Sequence, residues 1–452
     1  MDAAADACQC RVLAPDDPDR RVSTAAAISH RDFTRHDAKT LGLAALGGAL
    51  EFYDFVVFVF FTKVLGELFF PPGTAPWLAQ LQVYGIFAAG YLARPLGGIV
   101  MAHFGDRGGR KRMFTLSVLL MAVPTLLIGL LPTYAQIGVL APLLLLLLRI
   151  VQGIAVGGEV PGAWVFVAEH VPANRIGFAC ASLTAGLTAG ILIGSLLATW
   201  INTAFSPAEV SGGLWRVPFL LGGAFGLFAV FLRRWLQETP VFIAMQARRE
   251  LVQGLPVRDV LAGHGGAVLR GILASWLLTA AIVVGVLLTP NLVQAAFQLP
   301  ASLAFLGGSI ATTALIVGCL LSGWAVDRLG VAVTILVGSL LLLACIYLLY
   351  WPLAQGDQSG FLWHYALLGL SIGVTGAVPS LLIHAFPPAV RFSGVSFSYN
   401  VAYALFGAMT PPLVAWLAQR LGPLAPAHYV AFTCVMGVLL SSWMLTRRSA
   451  PG

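Results

Sequence analysis

Glu51 and Asp54 stand three residues apart in a run from Leu41 to Leu65 whose one other charged residue is Lys63, near its end. That spacing puts both carboxyls on one face of a helix. Two acids so close in a low dielectric do not both ionise cheaply, so the pair suits the uptake and release of a proton. Arg149, in another apolar run, opposes this for whichever acid it meets. A charged carboxylate holds the guanidinium. A protonated one frees it to grip the carboxylate of a passenger with two parallel donors. Glu159 and Arg94 are further charges inside apolar runs. At mid-bilayer such a group costs roughly 2.5–3.5 kcal/mol and persists where it is paired or faces water. A static ion pair locking two helices is the competing reading for Arg149 and its acid. Glu159, in "GGEVPG", and Arg94, near the inner end of its run, also admit purely structural roles.

These side chains need a membrane scaffold to position them. Of 452 residues, 58% are hydrophobic and only 10% charged, against about 25% charged in soluble domains. Apolar runs long enough to span, each of about 20 residues, fall at 41–65, 77–101, 113–131, 137–166, 176–202, 215–236, 270–293, 301–326, 331–352, 362–385, 394–419 and 425–446. The expected class is therefore an all-α membrane protein with twelve transmembrane helices. Of the 26 Lys and Arg, all but Lys63, Arg94, Arg149, Arg216 and Arg420 fall on one side of that arrangement. The positive-inside rule then sets both termini in the cytosol. Glu51 and Asp54 sit at a depth of about 15–20 Å in an outward-running helix, and Arg149 at a similar depth in an inward-running one.

The chain divides into a polar tail (1–40), six spans (41–236), a polar central loop (237–269), six more spans (270–446) and a short tail (447–452). The polar start contains no short apolar stretch with a small-residue cleavage site, so no cleaved leader is expected. The halves echo each other. Asp106-Arg107-Gly108-Gly109 lies between spans two and three, and Asp327-Arg328-Leu329-Gly330 between spans eight and nine. A second echo, "HVPANRIG" (170–177) against "AFPPAVRFSG" (385–394), follows spans four and ten. Repeated halves with a midplane site between them are a transporter plan.

The loop "GDRGGRKR" resembles the signature loop of the major facilitator superfamily. "ALEFYDF", "RPLGG", "RIVQGIAVGGEVPGA", "LRRWLQETPVF" and "FPPAVRFSGVSFSYNVAYALFGAMTPPLVAWL" are similar to its metabolite:proton symporter branch. The resemblance implies two six-helix bundles around a central cavity and substrate movement coupled to protons. It assigns the switch pair to Asp54 and Arg149; Glu51 and Glu159 are further proton-coupling candidates by their own placement in apolar runs. It also implies that Asp106 meets the N-terminus of the eleventh helix near Ser393, in a cytosolic gate with Arg107, Arg110, Asp327 and Arg328. The branch moves small organic acids and zwitterions such as proline and betaine. Departures are Ala102 in place of the loop's first glycine, Val331-Ala332 in place of a second basic pair, and His384 where relatives carry glutamate.

Candidate substrate groups beside Arg149 are Tyr53, Gln152, Asn291, Tyr399 and Asn400. The second half holds mainly neutral candidates, Gln294, Thr375, His384 and Tyr403 among them, so coupling is expected in the first half. Gly186, Gly190 and Gly194 form a smooth stripe for close packing. The fifth span lacks the Gly-Pro of related antiporters, which favours symport. The expected function is proton-coupled import of a small organic acid or zwitterion across the bacterial inner membrane. An exporter or facilitator of the same fold is the alternative; an embedded receptor or enzyme is another class. No nucleophile–base set, paired metal-ligand histidines or complete phosphate loop supports an enzyme. No metal or cofactor is expected, and the scattered basic residues argue against nucleic acid. The six cysteines lack pairing or zinc spacing, and Cys180, Cys319, Cys345 and Cys434 read as buried free thiols.

Overall fold

The computed structural model describes residues 32–248 and 256–448, and every regular element among them is helical. Calls on the first 31 residues, on 249–255 and on the last four lie outside the described residues. Twelve helices are long and apolar enough to cross a membrane: α1 (Arg35–Phe60), α2 (Leu81–Gly108), α3 (Arg110–Leu130), α4 (Leu140–His170), α5 (Ala173–Ile201), α6 (Arg216–Arg233), α7 (Gly265–Phe297), α8 (Ala301–Leu329), α9 (Val331–Ala354), α10 (Phe361–Ala385), α11 (Pro388–Leu421) and α12 (Ala425–Arg447). Helix is the favoured answer here because hydrocarbon offers the backbone no hydrogen-bond partners.

Several boundaries differ from the apolar runs for local reasons. Helix α1 begins at Arg35, ahead of the apolar stretch, because Thr34 caps it: Asp37 N–H donates to Thr34 Oγ1 at 3.3 Å and Thr34 N–H to Asp37 Oδ2 at 2.8 Å. It ends at Phe60, and Thr62–Phe69 form a separate short helix, so the expected span to 65 is corrected. The central connection contains two helices, Pro240–Ala247 and Pro256–Gly263, rather than only a polar loop.

Twelve spans form two six-helix bundles, and their pairings repeat with an offset of six. In the first, α1 packs on α5, α2 on α4 and α3 on α6; in the second, α7 packs on α11, α8 on α10 and α9 on α12. Two seams join the bundles, α2 against α11 and α5 against α8, and they are equivalent under the same repeat. The end holding the α2–α3 and α8–α9 turns is termed the base.

Small residues set the helix spacing. A Cβ at Gly190 would strike the Ala49 carbonyl, one at Gly153 the Gly90 carbonyl, and one at Gly157 the Arg94 carbonyl. The glycine stripe of α5 is thus a packing face against α1. In the second bundle, Gly369 lies on the Ala311 carbonyl and Gly373 on Gly318. Without a hydrophobic force between helices in lipid, such close backbone contact carries much of the association. Cys180, Cys319, Cys345 and Cys434 are free thiols, all buried except the half-buried Cys345.

Filling one of these contacts should unseat the pair. Gly190→Leu is expected to cost at least about 3 kcal/mol, the upper range for overpacking. Gly42→Leu, where a Cβ meets nothing within 4 Å, should be nearly silent. Thermal unfolding of the two variants in detergent checks this.

Candidate functional site

The first bundle buries its charges in two layers. Asp54, on α1, is 1% exposed. It points toward α6, where Gly222 and Gly226 leave room: a Cβ on Gly226 would stand 3.4 Å from Oδ2, and one on Gly222 would overlap Oδ1. Neither carboxyl oxygen has a hydrogen-bond partner among the described residues. Arg149, on α4, is fully buried. Its Nη1 donates to Gln152 Oε1 at 2.8 Å, and its guanidinium lies over Phe58 at 4.2 Å and Phe87 at 5.3 Å. Gln152 Nε2 in turn donates to Thr125 Oγ1 at 2.7 Å. A Cβ on Gly222 would meet both Asp54 and Thr125, so that threonine borders the gap holding the acid.

The expected direct Asp54–Arg149 ion pair is therefore absent from this state. Spacing along each helix does not determine which neighbour a side chain faces. Asp54 faces α6, while Arg149 faces the aromatic wall of α1 and α2. Gln152 and Thr125 lie between them. Helix α1 covers Glu51, whose side chain lies outside the described residues.

The deeper layer is a pair that sequence reading missed. Glu159, 3% exposed, accepts from Arg233 Nη2 at 2.7 Å and from the Ser117 hydroxyl. Arg233 also donates to the Phe114 carbonyl and covers the Phe114 ring at 3.5 Å. Counted only as a basic residue at a helix end, Arg233 in fact ties α6 to α3 and α4. Nothing in "LRRW" marks which arginine turns inward.

The base carries the gate candidates. Asp106 accepts from the Ser393 N–H at 3.0 Å and the Ser393 hydroxyl at 2.8 Å, across the α2–α11 seam. Asp327 accepts from the Gly177 and Phe178 N–H groups at 2.8 and 3.1 Å, across the α5–α8 seam. Ser393 and Gly177 occupy matching places in "VRFSG" and "NRIG", so the two contacts are one device used twice. Each sets a carboxylate on the unsatisfied amides and positive dipole end of a helix.

Arg110 reinforces the first contact only. It pairs with Asp106 at 3.5 Å and Glu169 at 3.0 Å, and donates to the Pro388 carbonyl at 2.9 Å. Arg391 donates to Glu169 at 3.1 Å. Glu238 accepts from the Arg110 and Lys111 N–H groups at the start of α3. Arg107 instead reaches His103 at 3.3 Å on the exposed surface, and Arg328 is exposed beside Trp324. Glu169, Glu238 and Arg391 were not singled out from sequence. The "RRWLQETP" run was quoted for resemblance, but its capping role needs the α3 start beside it.

Of the substrate candidates, Tyr53 donates to the Pro218 carbonyl at 3.0 Å and edges Phe225, which places it against α6. Asn291 is exposed near the far end of α7. Asn400 donates to the Gly157 carbonyl of α4 at 2.6 Å, and Ser396 to Gly98 of α2 and to Gly157, so the two stitch α11 to α2 and α4. Tyr399 edges Trp164 at 4.9 Å at the bundle interface. The two bundles meet at a small cavity bordered by Phe52, Trp164, Thr188, Thr375, Tyr399 and Tyr403. His384 is exposed at the base and meets the Ser380 carbonyl.

Two repeated bundles, buried charges in one and a closed base with a cavity between the bundles are the build of a membrane transporter. The Major Facilitator Superfamily sequence pattern matches residues 43–411, and the chain belongs to that family. It is 31% identical over 434 residues to the glycine betaine/proline/ectoine/pipecolic acid transporter OusA of Dickeya dadantii, covering 91% of this chain and 84% of that one. It is 30% identical over 447 residues to the proline/betaine transporter of Escherichia coli K12, covering 94% and 87%. Among solved structures, the proton:xylose symporter XylE superposes with a TM-score of 0.76 at 18% identity, over 91% of this chain and 95% of the other. The E. coli fucose:proton symporter FucP superposes at 0.70 and 13% identity, over 91% and 99%. The chain is thus a transporter of this fold rather than an enzyme.

The Glu159–Arg233 pair yields a clear expectation. Arg233→Ala strands a buried carboxylate and should cost about 3–5 kcal/mol. In a Glu159→Gln background the same change should cost less than half as much, as a double-mutant cycle of detergent unfolding would measure.

Proposed function

We propose that this chain imports a small zwitterionic metabolite across the bacterial inner membrane together with a proton. Its bundles rock about the cavity between them, and the base and both termini face the cytosol. The observation that carries the reading is Asp54. It is a buried carboxyl in a glycine-lined gap, with no donor on either oxygen among the described residues. Such a group is a poor structural element and a natural proton carrier. The two betaine and proline transporters named above support a zwitterion over a simple organic acid.

In this reading Asp54 loads a proton from the side opposite the base. Charge on Asp54 is felt by Arg149 through Thr125 and Gln152, so proton binding and passenger binding share one strip of side chains. The Asp106 and Asp327 contacts hold the base shut while the outer side is accessible. Their release admits cytosol to the cavity. The membrane potential contributes about 2.3 kcal/mol per charge per 100 mV, enough to concentrate a solute.

Asp54→Asn is expected to abolish accumulation driven by a pH gradient in proteoliposomes, while exchange of labelled for unlabelled solute continues. Uphill uptake at the normal rate would remove Asp54 from the mechanism. Asp106→Asn and Asp327→Asn should each weaken a charge-assisted contact and populate a base-open state. Faster thiol labelling of a cysteine placed in the cavity wall, from the base side, is the readout.

A further inference from the structure

We propose that Tyr91, Trp164, Tyr399 and Tyr403 form an aromatic cage for the quaternary ammonium end of a zwitterionic substrate, and that Arg94 fills this cage when substrate is absent. The inference rests on the zwitterion reading above and names the head-group class and the groups that receive it.

The Arg94 guanidinium carbon stands 4.3 Å from the ring centre of Tyr403, 5.3 Å from Tyr399 and 5.5 Å from Tyr91. The rings also contact one another. Tyr399 and Tyr403 have centroids 4.6 Å apart, Tyr91 stacks on Tyr403 at 6.3 Å, and Trp164 meets Tyr399 edge-on at 4.9 Å. Arg94 is 1% exposed, and its Nε and Nη2 have no hydrogen-bond partner among the described residues. No carboxylate forms an ion pair with it among the described residues. A buried cation is thus held mainly by ring faces, which makes this place a cation site by construction.

A trimethylammonium group suits such a site better than guanidinium does. It has no N–H to leave unsatisfied, and its weakly hydrated charge is attracted by the same ring quadrupoles. The neighbouring cavity, bounded by Trp164, Tyr399 and Tyr403, has a volume of about 30 Å³. That holds little more than a water, and Arg94 itself lies outside its lining, against the ring faces of Tyr91, Tyr399 and Tyr403; a head group that takes those faces therefore displaces Arg94. The displaced arginine then has open N–H donors and joins Arg149, which also lies within electrostatic reach of Tyr91, in meeting the carboxylate end of the same molecule. One exchange satisfies both ends of a zwitterion.

The cage also straddles the moving seam. Tyr91 and Arg94 belong to α2 and Trp164 to α4, while Tyr399 and Tyr403 belong to α11. Tyr403 opens a wide π-helical turn, Tyr403–Gly407, a feature frequent at functional sites. Closure of the bundles assembles the cage, so occupancy and conformation are linked.

The test uses the full chain in proteoliposomes, with labelled proline and N,N,N-trimethylglycine. The competitors are unlabelled trimethylglycine and its uncharged-head analogue 3,3-dimethylbutanoate. Wild type should favour trimethylglycine over the analogue by about tenfold, within the range of a desolvated cation–π contact. Tyr403→Leu should erase that preference, and Tyr403→Phe, which keeps the ring, should retain it. Arg94→Gln should bind tetramethylammonium about tenfold more tightly than wild type, read as thermal stabilisation in detergent. This readout needs no transport and is not expected if Arg94 is only a clamp. Equal competition by the two analogues overturns the cage. So does an unchanged preference in Tyr403→Leu, or no gain for tetramethylammonium in Arg94→Gln. If wild type takes up neither zwitterion, the substrate reading fails and the cage proposal with it. If it takes up both while the ring variants behave as wild type, the cage alone fails.

Discussion

A carboxylate set on the bare amide end of a helix from the opposite bundle is the contact on which this state of the molecule depends. Asp106 does this at the start of α11 and Asp327 at the start of α5. Each bond joins the halves where their connections are shortest, at the base. Because each acid lies at a helix end, and not at mid-depth, water can reach it once the seam parts. The bonds are therefore strong when made, yet their loss does not strand a charge in hydrocarbon.

Above the base, the halves touch through small residues and short polar stitches. Phe392 inserts where a Cβ on Gly105 or Gly162 would block it, and Asn400 and Ser396 reach carbonyls of α2 and α4. These contacts are many and individually weak, at about 0.6 kcal/mol for a typical hydrogen bond between helices in a membrane. Within the first bundle, by contrast, Glu159 and Arg233 form a buried pair whose separation is costly. The costly buried pair thus lies within the first bundle, while the stitches between the bundles are individually weak.

Much of this was legible in the residues. Apolar run length gave the twelve spans, and the family resemblance pointed Asp106 toward Ser393; the matching contact of Asp327 with Gly177 and Phe178 emerges only from the assembled helices. Azimuth was not legible. Asp54 and Arg149 face different neighbours, and only the assembled bundle decides that Tyr53 meets Pro218 while Arg233 meets Glu159. Helix ends also escaped where side-chain caps, as at Thr34, extend a helix past its apolar run. The significance of Arg94 depended on rings from α2 and α11 that are some three hundred residues apart in the chain.

The symmetry of the two seams is broken at one place. Arg110 joins Asp106, Glu169 and the Pro388 carbonyl, while Val331 and His384 stand at the corresponding corner of the other seam. One line carries a charge cluster whose members must let go together; at the other, one acid sits on two amides, with Arg175 and His384 close enough to act on its charge. The second line offsets its sparser charges with close backbone packing, Gly323 lying against Ala181 and the Gly177 carbonyl. One edge of the base is thus pinned by electrostatics, which salt can screen once the seam parts and water enters, and the other by fit.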